Sequence, residues 1–143
     1  MRLWDYRLIP VLPNKMLVAE WRECIAIKRQ WEKGTLKHRL VSYVKDYQKS
    51  AFYYYTQKVA AEMTKRNILY QRKFLDEIYD FCFNNQGNAK FNYPEHNERY
   101  LKQCYYNLQE KADRGIISEE EWKPIQNFWD KFIKEKSIEE NDE

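Results

Sequence analysis

The sequence predicts a mainly α-helical protein, a single compact domain of about four to five helices behind an extended N-terminal lead. Glycine and proline number only 3 and 4 in 143 residues, a scarcity that long helices tolerate and turn-rich β-sandwiches do not. Apolar residues also recur every three or four positions along most of the chain. A chain of this length can bury a core, so we expect one domain over residues 1–135. Residues 136–143 are acidic and are expected to form a disordered tail.

The first twelve residues, called the lead below, are expected to be extended or irregular. Pro10 and Pro13 prevent an α-helix from running through them. Asn14 can cap a first helix, in which apolar residues recur at helical spacing from Leu17 onward. That helix should end near Gly34, because glycine readily adopts the left-handed conformation that follows a helix C-terminus.

The remaining elements follow from the same periodicity. In chain order they are a basic loop with extended character at 41–44, helices over about 50–66 and 71–83, a polar loop over 84–94 and a helix over about 95–113. Ser118 and Glu121 form a capping box that begins a last helix. The apolar positions of that helix are mostly aromatic, including Trp122, Phe128 and Trp129.

Charge is distributed unevenly, although the formal net charge is only +3. Residues 1–50 carry eleven Lys/Arg against five Asp/Glu, whereas residues 101–143 carry seven against eleven. A basic first third is typical of a surface that binds a polyanion such as nucleic acid. A solvated helix face followed by a disordered acidic tail would give the same pattern, so charge alone leaves both interpretations open.

Several classes of function are disfavoured by what the sequence lacks. Cys24, Cys82 and Cys104 are odd in number and widely spaced without a CxxC pair, which argues against a disulfide framework or a zinc site and favours a reducing cytoplasm. No run of about 18 apolar residues predicts a membrane span. The sequence contains no glycine-rich phosphate loop, GxSxG or HExxH motif.

One face of the first predicted helix is basic. Arg22, Ala26, Arg29 and Lys33 are spaced three or four residues apart and therefore share that face. Glu23 lies beside it, an isolated acid on a surface that would face DNA. Taken by itself, Glu23 is explained better as the surface ion-pair partner of a neighbouring Arg or Lys, because such pairs are common on helices.

The N-terminal third resembles the pyrimidine-dimer DNA glycosylase family, to which phage endonuclease V belongs. Its sharpest feature is the run Ala-Glu-Trp-Arg-Glu at Ala19–Glu23, which is similar to an Ala-Glu-aromatic-Arg-Glu run on the first helix of the phage enzyme. The preceding residues, from Met-Arg-Leu-Trp to Leu-Pro-Asn-Lys-Met-Leu-Val, resemble the same N-terminus. Weaker similarity continues at Lys37–His38, Glu62–Arg66 and Tyr93–His96.

The resemblance implies a DNA-repair glycosylase with abasic-site lyase activity that needs neither metal nor cofactor. The nucleophile would be the α-amine of Met1, which the bulky Arg2 should protect from removal, and Glu23 would be the catalytic carboxylate. Arg2 and Arg22 would contact phosphate or open the base pair, and the target nucleotide would leave the base stack. The expected partner is double-stranded DNA carrying a lesion or an abasic site, bound by a monomer.

Beyond the resemblance, the charge pattern predicts contacts to the DNA backbone. The residues assigned to these contacts are Lys28, Arg29, Lys33, Lys37, His38 and Arg39. Two departures leave the lesion open: Ala26 stands where the phage enzyme has an arginine, and Met16 where it has a histidine. Two alternatives also remain, a non-catalytic nucleic-acid-binding module on the same scaffold and an interaction protein that uses the aromatic last helix and acidic tail.

Overall fold

Five α-helices and two 3-10 helices form the described part of the chain, residues 1–83 and 90–141 of a computed structural model. In chain order they are a first 3-10 helix (Tyr6–Val11), α1 (Asn14–Glu32), a second 3-10 helix (Ser42–Asp46), α2 (Lys49–Lys65), α3 (Arg72–Phe83), α4 (Glu98–Asp113) and α5 (Glu119–Asn141). No strand occurs within those described residues, so the mainly α prediction is confirmed.

The helix ends follow the local signals with one exception. Gly34 has a φ of 74° directly after the end of α1, as a left-handed terminator requires. At the start of α5 the Glu121 N–H donates to Ser118 Oγ at 3.2 Å, and the Ser118 N–H donates to Glu121 Oε1 at 3.0 Å. Asn14 is not the N-cap of α1, because Pro13 already has the non-helical backbone of a cap and Asn14 is the first helical residue.

The prediction of an extended lead is wrong over Tyr6–Val11, which forms a 3-10 helix. The Asp5 carboxylate accepts the Arg7 N–H at 3.0 Å and the Asp5 carbonyl accepts the Leu8 N–H at 2.9 Å, so the turn begins with satisfied donors. Pro10 is compatible with this 3-10 helix because its fixed φ suits a 3-10 turn. Its missing N–H costs the helix only one hydrogen bond.

Other expectations needed smaller corrections. The segment around Val41–Val44 is mostly a 3-10 helix rather than extended. On α3 the buried positions are Leu75, Ile78 and Cys82, while Phe74 and Phe81 lie half-buried at the edge of the core. Of the polar loop predicted over 84–94, residues 84–89 lie outside the described ranges.

The end of α5 reaches into the acidic segment. The helix continues through residues 136–141, and residues 142–143 lie outside the described part. The division of the chain at residue 135 stays a prediction. Residues 1–83 and 90–141 include no helix with the length and apolarity of a membrane span.

The lead lies between two apolar clusters. Leu3 and Ile9 belong to a cluster built mainly from α1, α2 and α3. Trp4, Leu8 and Leu12 belong to a second cluster, which joins the lead to α4 and α5. Burial on both sides fixes the course of the first twelve residues, since moving them would expose apolar side chains in both clusters.

Two arginines tie the lead to the helices around it. The Arg66 guanidinium, at the C-cap of α2, donates to the carbonyls of Leu12 at 2.6 Å and Pro10 at 2.9 Å. The Arg7 guanidinium donates to the carbonyl of His96 at 3.2 Å, just before α4. The chain start is therefore attached to α2 and to the beginning of α4, which lie on different sides of it.

Candidate active site

The start of the lead lies against α1 at Glu23. The backbone N–H of Arg2 donates to Glu23 Oε2 at 2.9 Å. The partner of this carboxylate is thus a backbone amide one residue from the Met1 α-amine. Glu23 itself is half-buried, so it can hold this bond and still face an incoming ligand.

A second carboxyl group, Glu20, lies one helical turn before Glu23 and is only 1 % exposed. Burial raises the pKa of Glu20 well above its usual range, and the neighbouring Glu23 raises it further. The nearby Tyr55 hydroxyl and Trp4 backbone lower this pKa, as does the charge of the N-terminus. Sequence reasoning gave Glu20 no role, although its place on the apolar stripe between Leu17 and Cys24 marked it as buried.

Side chains from three helices hold the backbone of the first four residues. The Tyr55 hydroxyl on α2 donates to the Trp4 carbonyl at 2.7 Å, and the Tyr100 hydroxyl on α4 donates to the Leu3 carbonyl. Together with the bond from the Arg2 N–H to Glu23 on α1, these contacts leave the amine at the end of a short, firmly held segment.

An open cleft of about 270 Å³ lies beside the two glutamates. Its lining residues are Trp4, Lys15, Met16, Ala19, Glu20, Glu23, Lys111 and Ile116. Trp4 is 8 % exposed and contributes both to the second cluster and to the cleft wall. The Arg2 guanidinium lies 5.6 Å from the centroid of the Trp4 ring, within the range of a cation–π contact. The cleft therefore has an apolar wall, two carboxyl groups and nearby cations.

The basic face of α1 is present as the spacing predicts. Arg22, Arg29 and Lys33 are exposed along it, and Ala26 is half-buried between them. The loop after α1 adds further exposed basic side chains, Lys37, His38 and Arg39. These residues and Glu23 project from one helix and the loop that follows it.

Lys28 lies elsewhere. It is 9 % exposed, and its Nζ pairs with Glu32 at 3.2 Å on the side of α1 that meets α2 and α3. A side chain buried there cannot follow a DNA backbone along the opposite face, so we leave Lys28 out of the proposed interface.

His96 lies beneath the lead rather than in the cleft. Its Nε2 is 2.6 Å from the Tyr43 hydroxyl, and its ring stacks on Tyr100 with the centroids 5.0 Å apart. Burial lowers the pKa of His96 to about 4, and Nδ1 is buried without a partner among the described residues. The position suits a structural residue that supports the lead.

The described residues contain no group of three or more His, Cys, Asp or Glu side chains arranged to hold a metal ion. Cys24, Cys82 and Cys104 are buried free thiols.

Residues 1–77 match the family model of the pyrimidine dimer DNA glycosylases. The matched segment contains the lead, α1 and α2, and with them Met1, Glu20, Glu23 and Tyr55. No curated protein and no solved structure matches the chain.

Proposed function

The chain belongs to the pyrimidine dimer DNA glycosylase family, and from this membership we propose that it excises a damaged base and then cleaves the abasic site, with the Met1 α-amine as nucleophile. The observation that carries the proposal is the 2.9 Å hydrogen bond from the Arg2 N–H to Glu23 Oε2. It supports a site in which the chain's first residue and a half-buried carboxylate meet beside an open cleft.

An N-terminal amine suits this chemistry. The ordinary pKa of an α-amino group is near 8, so a useful fraction is neutral at pH 7, whereas a lysine is almost wholly protonated. In the proposed reaction the amine attacks the deoxyribose C1′, and the bond to the base breaks. The base leaves with the electron pair and takes up a proton.

The same covalent bond leads to strand cleavage. The nitrogen loses its protons as the C1′–O4′ bond opens and O4′ is protonated, which gives an imine. The imine makes the C2′ proton acidic, and its removal expels the 3′ phosphate by β-elimination. Glu23 would stabilise the cationic sugar and imine and would transfer protons at these steps.

The remaining residues supply DNA binding. Arg2 and Arg22 are proposed to contact phosphate or help to open the base pair at the lesion, and the cleft beside Trp4 accepts part of the displaced nucleotide. The exposed basic side chains along α1 and its following loop, namely Arg29, Lys33, Lys37, His38 and Arg39, would neutralise backbone phosphates.

The test is borohydride trapping of untagged protein on duplex DNA that carries a cyclobutane dimer or an abasic site. We expect a covalent adduct that mass spectrometry maps to Met1. The adduct should disappear when residues are added before Met1 and should fall by a factor of about 100 or more in Glu23→Gln. Glu32→Gln is the matched control, because Glu32 is an exposed carboxylate on the same helix.

The outcomes separate the alternatives. An adduct with dimer DNA supports both the glycosylase and the lyase activity. An adduct with abasic DNA alone supports the lyase activity and means that the enzyme excises a base other than the pyrimidine dimer. No adduct from either duplex, despite salt-sensitive binding, would leave a non-catalytic nucleic-acid-binding module. Weak DNA binding with little salt dependence, together with loss of binding to a partner on removal of residues 136–143, would point to an interaction protein.

A further inference from the structure

Glu20 and Tyr55 both contact the backbone of Trp4. The Trp4 backbone interacts with the Glu20 carboxyl group and lowers its pKa, and the Trp4 carbonyl accepts the Tyr55 hydroxyl at 2.7 Å. The same Tyr55 oxygen lies 3.4 Å from Glu20 Oε1, so the three groups form a closed arrangement. Glu20 and Tyr55 are 1 % and 4 % exposed, which excludes bulk water from it.

The number of protons available in this arrangement indicates whether the Glu20 carboxyl group is protonated. A tyrosine hydroxyl has one proton, and Tyr55 gives it to the Trp4 carbonyl, the nearer of its two acceptors. The contact between the Tyr55 oxygen and Glu20 is then satisfied when Glu20 carries a proton of its own and donates it. An ionised Glu20 would instead place a buried negative charge against an oxygen with no proton to offer.

Burial and the neighbouring Glu23 favour a neutral Glu20, and the charge of the N-terminal amine opposes them. The groups that face it are Glu23 and Cys24 on α1, Tyr55 on α2 and the N-terminal amine, while Lys15 and Lys111 line the adjacent cleft. Burial and the charge of Glu23 both favour the protonated acid. Of the two carboxyl groups Glu20 is the more deeply buried, so a charge on Glu20 would cost more free energy.

We propose that Glu20 is a positioning residue that acts as a neutral carboxylic acid, fixing the Trp4 backbone and thereby the Met1 amine beside Glu23. This role rests on the proposed amine chemistry. A neutral Glu20 adds no buried negative charge beside the amine, and Glu23 remains the carboxyl group that is bonded to the Arg2 amide at the chain start.

The test compares Glu20→Gln with Glu20→Ala in single-turnover borohydride trapping on an abasic duplex. A glutamine keeps the proposed geometry, because its amide donates to Tyr55. We expect its trapping rate to stay within about threefold of wild type, with an unchanged pH profile between about pH 6 and 8. In Glu20→Ala the rate should fall about tenfold or more, while the affinity for the duplex stays within about twofold because the basic face of α1 is intact.

A second measurement reads the protonation of Glu20 without DNA. The infrared spectrum of wild-type protein in heavy water at neutral pH should contain the carbonyl band of a protonated carboxyl group, and Glu20→Gln should lack it. Circular dichroism and thermal unfolding check that both variants fold, and Glu32→Gln serves as the exposed control in each assay.

Each contrary result has its own meaning. If Glu20→Gln loses as much rate as Glu23→Gln, or shifts the pH profile, Glu20 acts as a carboxylate and the proposal is overturned. A missing carboxyl band overturns it as well. If Glu20→Ala traps DNA at the wild-type rate, Glu20 does not position the amine. Failure of the wild-type protein to form any adduct refutes the proposed function instead, a result that the infrared band does not depend on.

Discussion

Removing the titration of His96 should make the stability of this protein less sensitive to acid. Burial lowers the pKa of His96 to about 4 in the folded state, against an ordinary 6.5. As the pH falls from 6.5 towards 4, the unfolded chain takes up this proton first, so stability falls with pH in that window. At about 1.4 kcal/mol per pH unit, the full difference is about 3 kcal/mol. The groups that face the ring are Asp5, which favours protonation, Arg7 and Lys58, which oppose it, and Tyr43.

The assay is urea unfolding of wild type and His96→Phe, followed by far-UV circular dichroism at several pH values from 4 to 7. Only the difference between the two proteins is used, because other groups titrate too. The raised pKa of Glu20, for instance, gives a stability that is lost as the pH rises. The difference in unfolding free energy should change by about 3 kcal/mol between pH 7 and pH 4. His38→Gln, at an exposed histidine, should parallel wild type.

A difference that changes by less than about 1 kcal/mol over this range would refute the reasoning. It would mean that His96 accepts a proton in the folded protein with little cost. The unpartnered Nδ1 would then have an acceptor within reach, and the rings beneath the lead would pack around a cation rather than a neutral imidazole.

Three other changes test separate parts of the structure. Arg66→Lys should lower the free energy of unfolding by about 2 kcal/mol in urea titrations, because a lysine cannot reach the several acceptors that the guanidinium binds; an unchanged midpoint would show that these bonds add little. Ser118→Ala should cost about 1 kcal/mol through loss of the capping box, and a loss near zero in thermal unfolding would mean that α5 is held by packing alone. Arg29→Ala should reduce the slope of log affinity against log salt by about one, whereas Lys28→Ala should leave it unchanged; equal slopes for both variants would argue against the basic face as the DNA contact.

Local signals in the sequence predicted most of the helices. The capping box at Ser118 and the glycine after α1 mark ends that depend on neighbouring residues only. The conformation of the lead was harder to predict, because two prolines exclude an α-helix but not a 3-10 turn held by the Asp5 side chain. Lys28 was assigned to the DNA surface for its charge alone, although its place on the inward stripe of α1 was readable.

Only part of the candidate site could be predicted from the sequence. Glu23 was singled out by its isolation on a basic face and by the family resemblance, but nothing in the spacing places it against the Arg2 amide. Tyr55 and Tyr100 bond to the lead from α2 and α4, far along the chain. Such contacts arise from packing between distant segments, which periodicity does not encode.

The held backbone at the chain start has a consequence for hydrogen–deuterium exchange. Chain ends usually fray, and their amides exchange within the dead time of an experiment. Here the Arg2 amide is bonded to Glu23 on α1, and the carbonyls of Leu3 and Trp4 accept hydroxyls from α4 and α2. The Arg2 amide should therefore exchange as slowly as amides in the middle of a helix. Its exchange rate reports, in the absence of DNA, whether the N-terminus is docked.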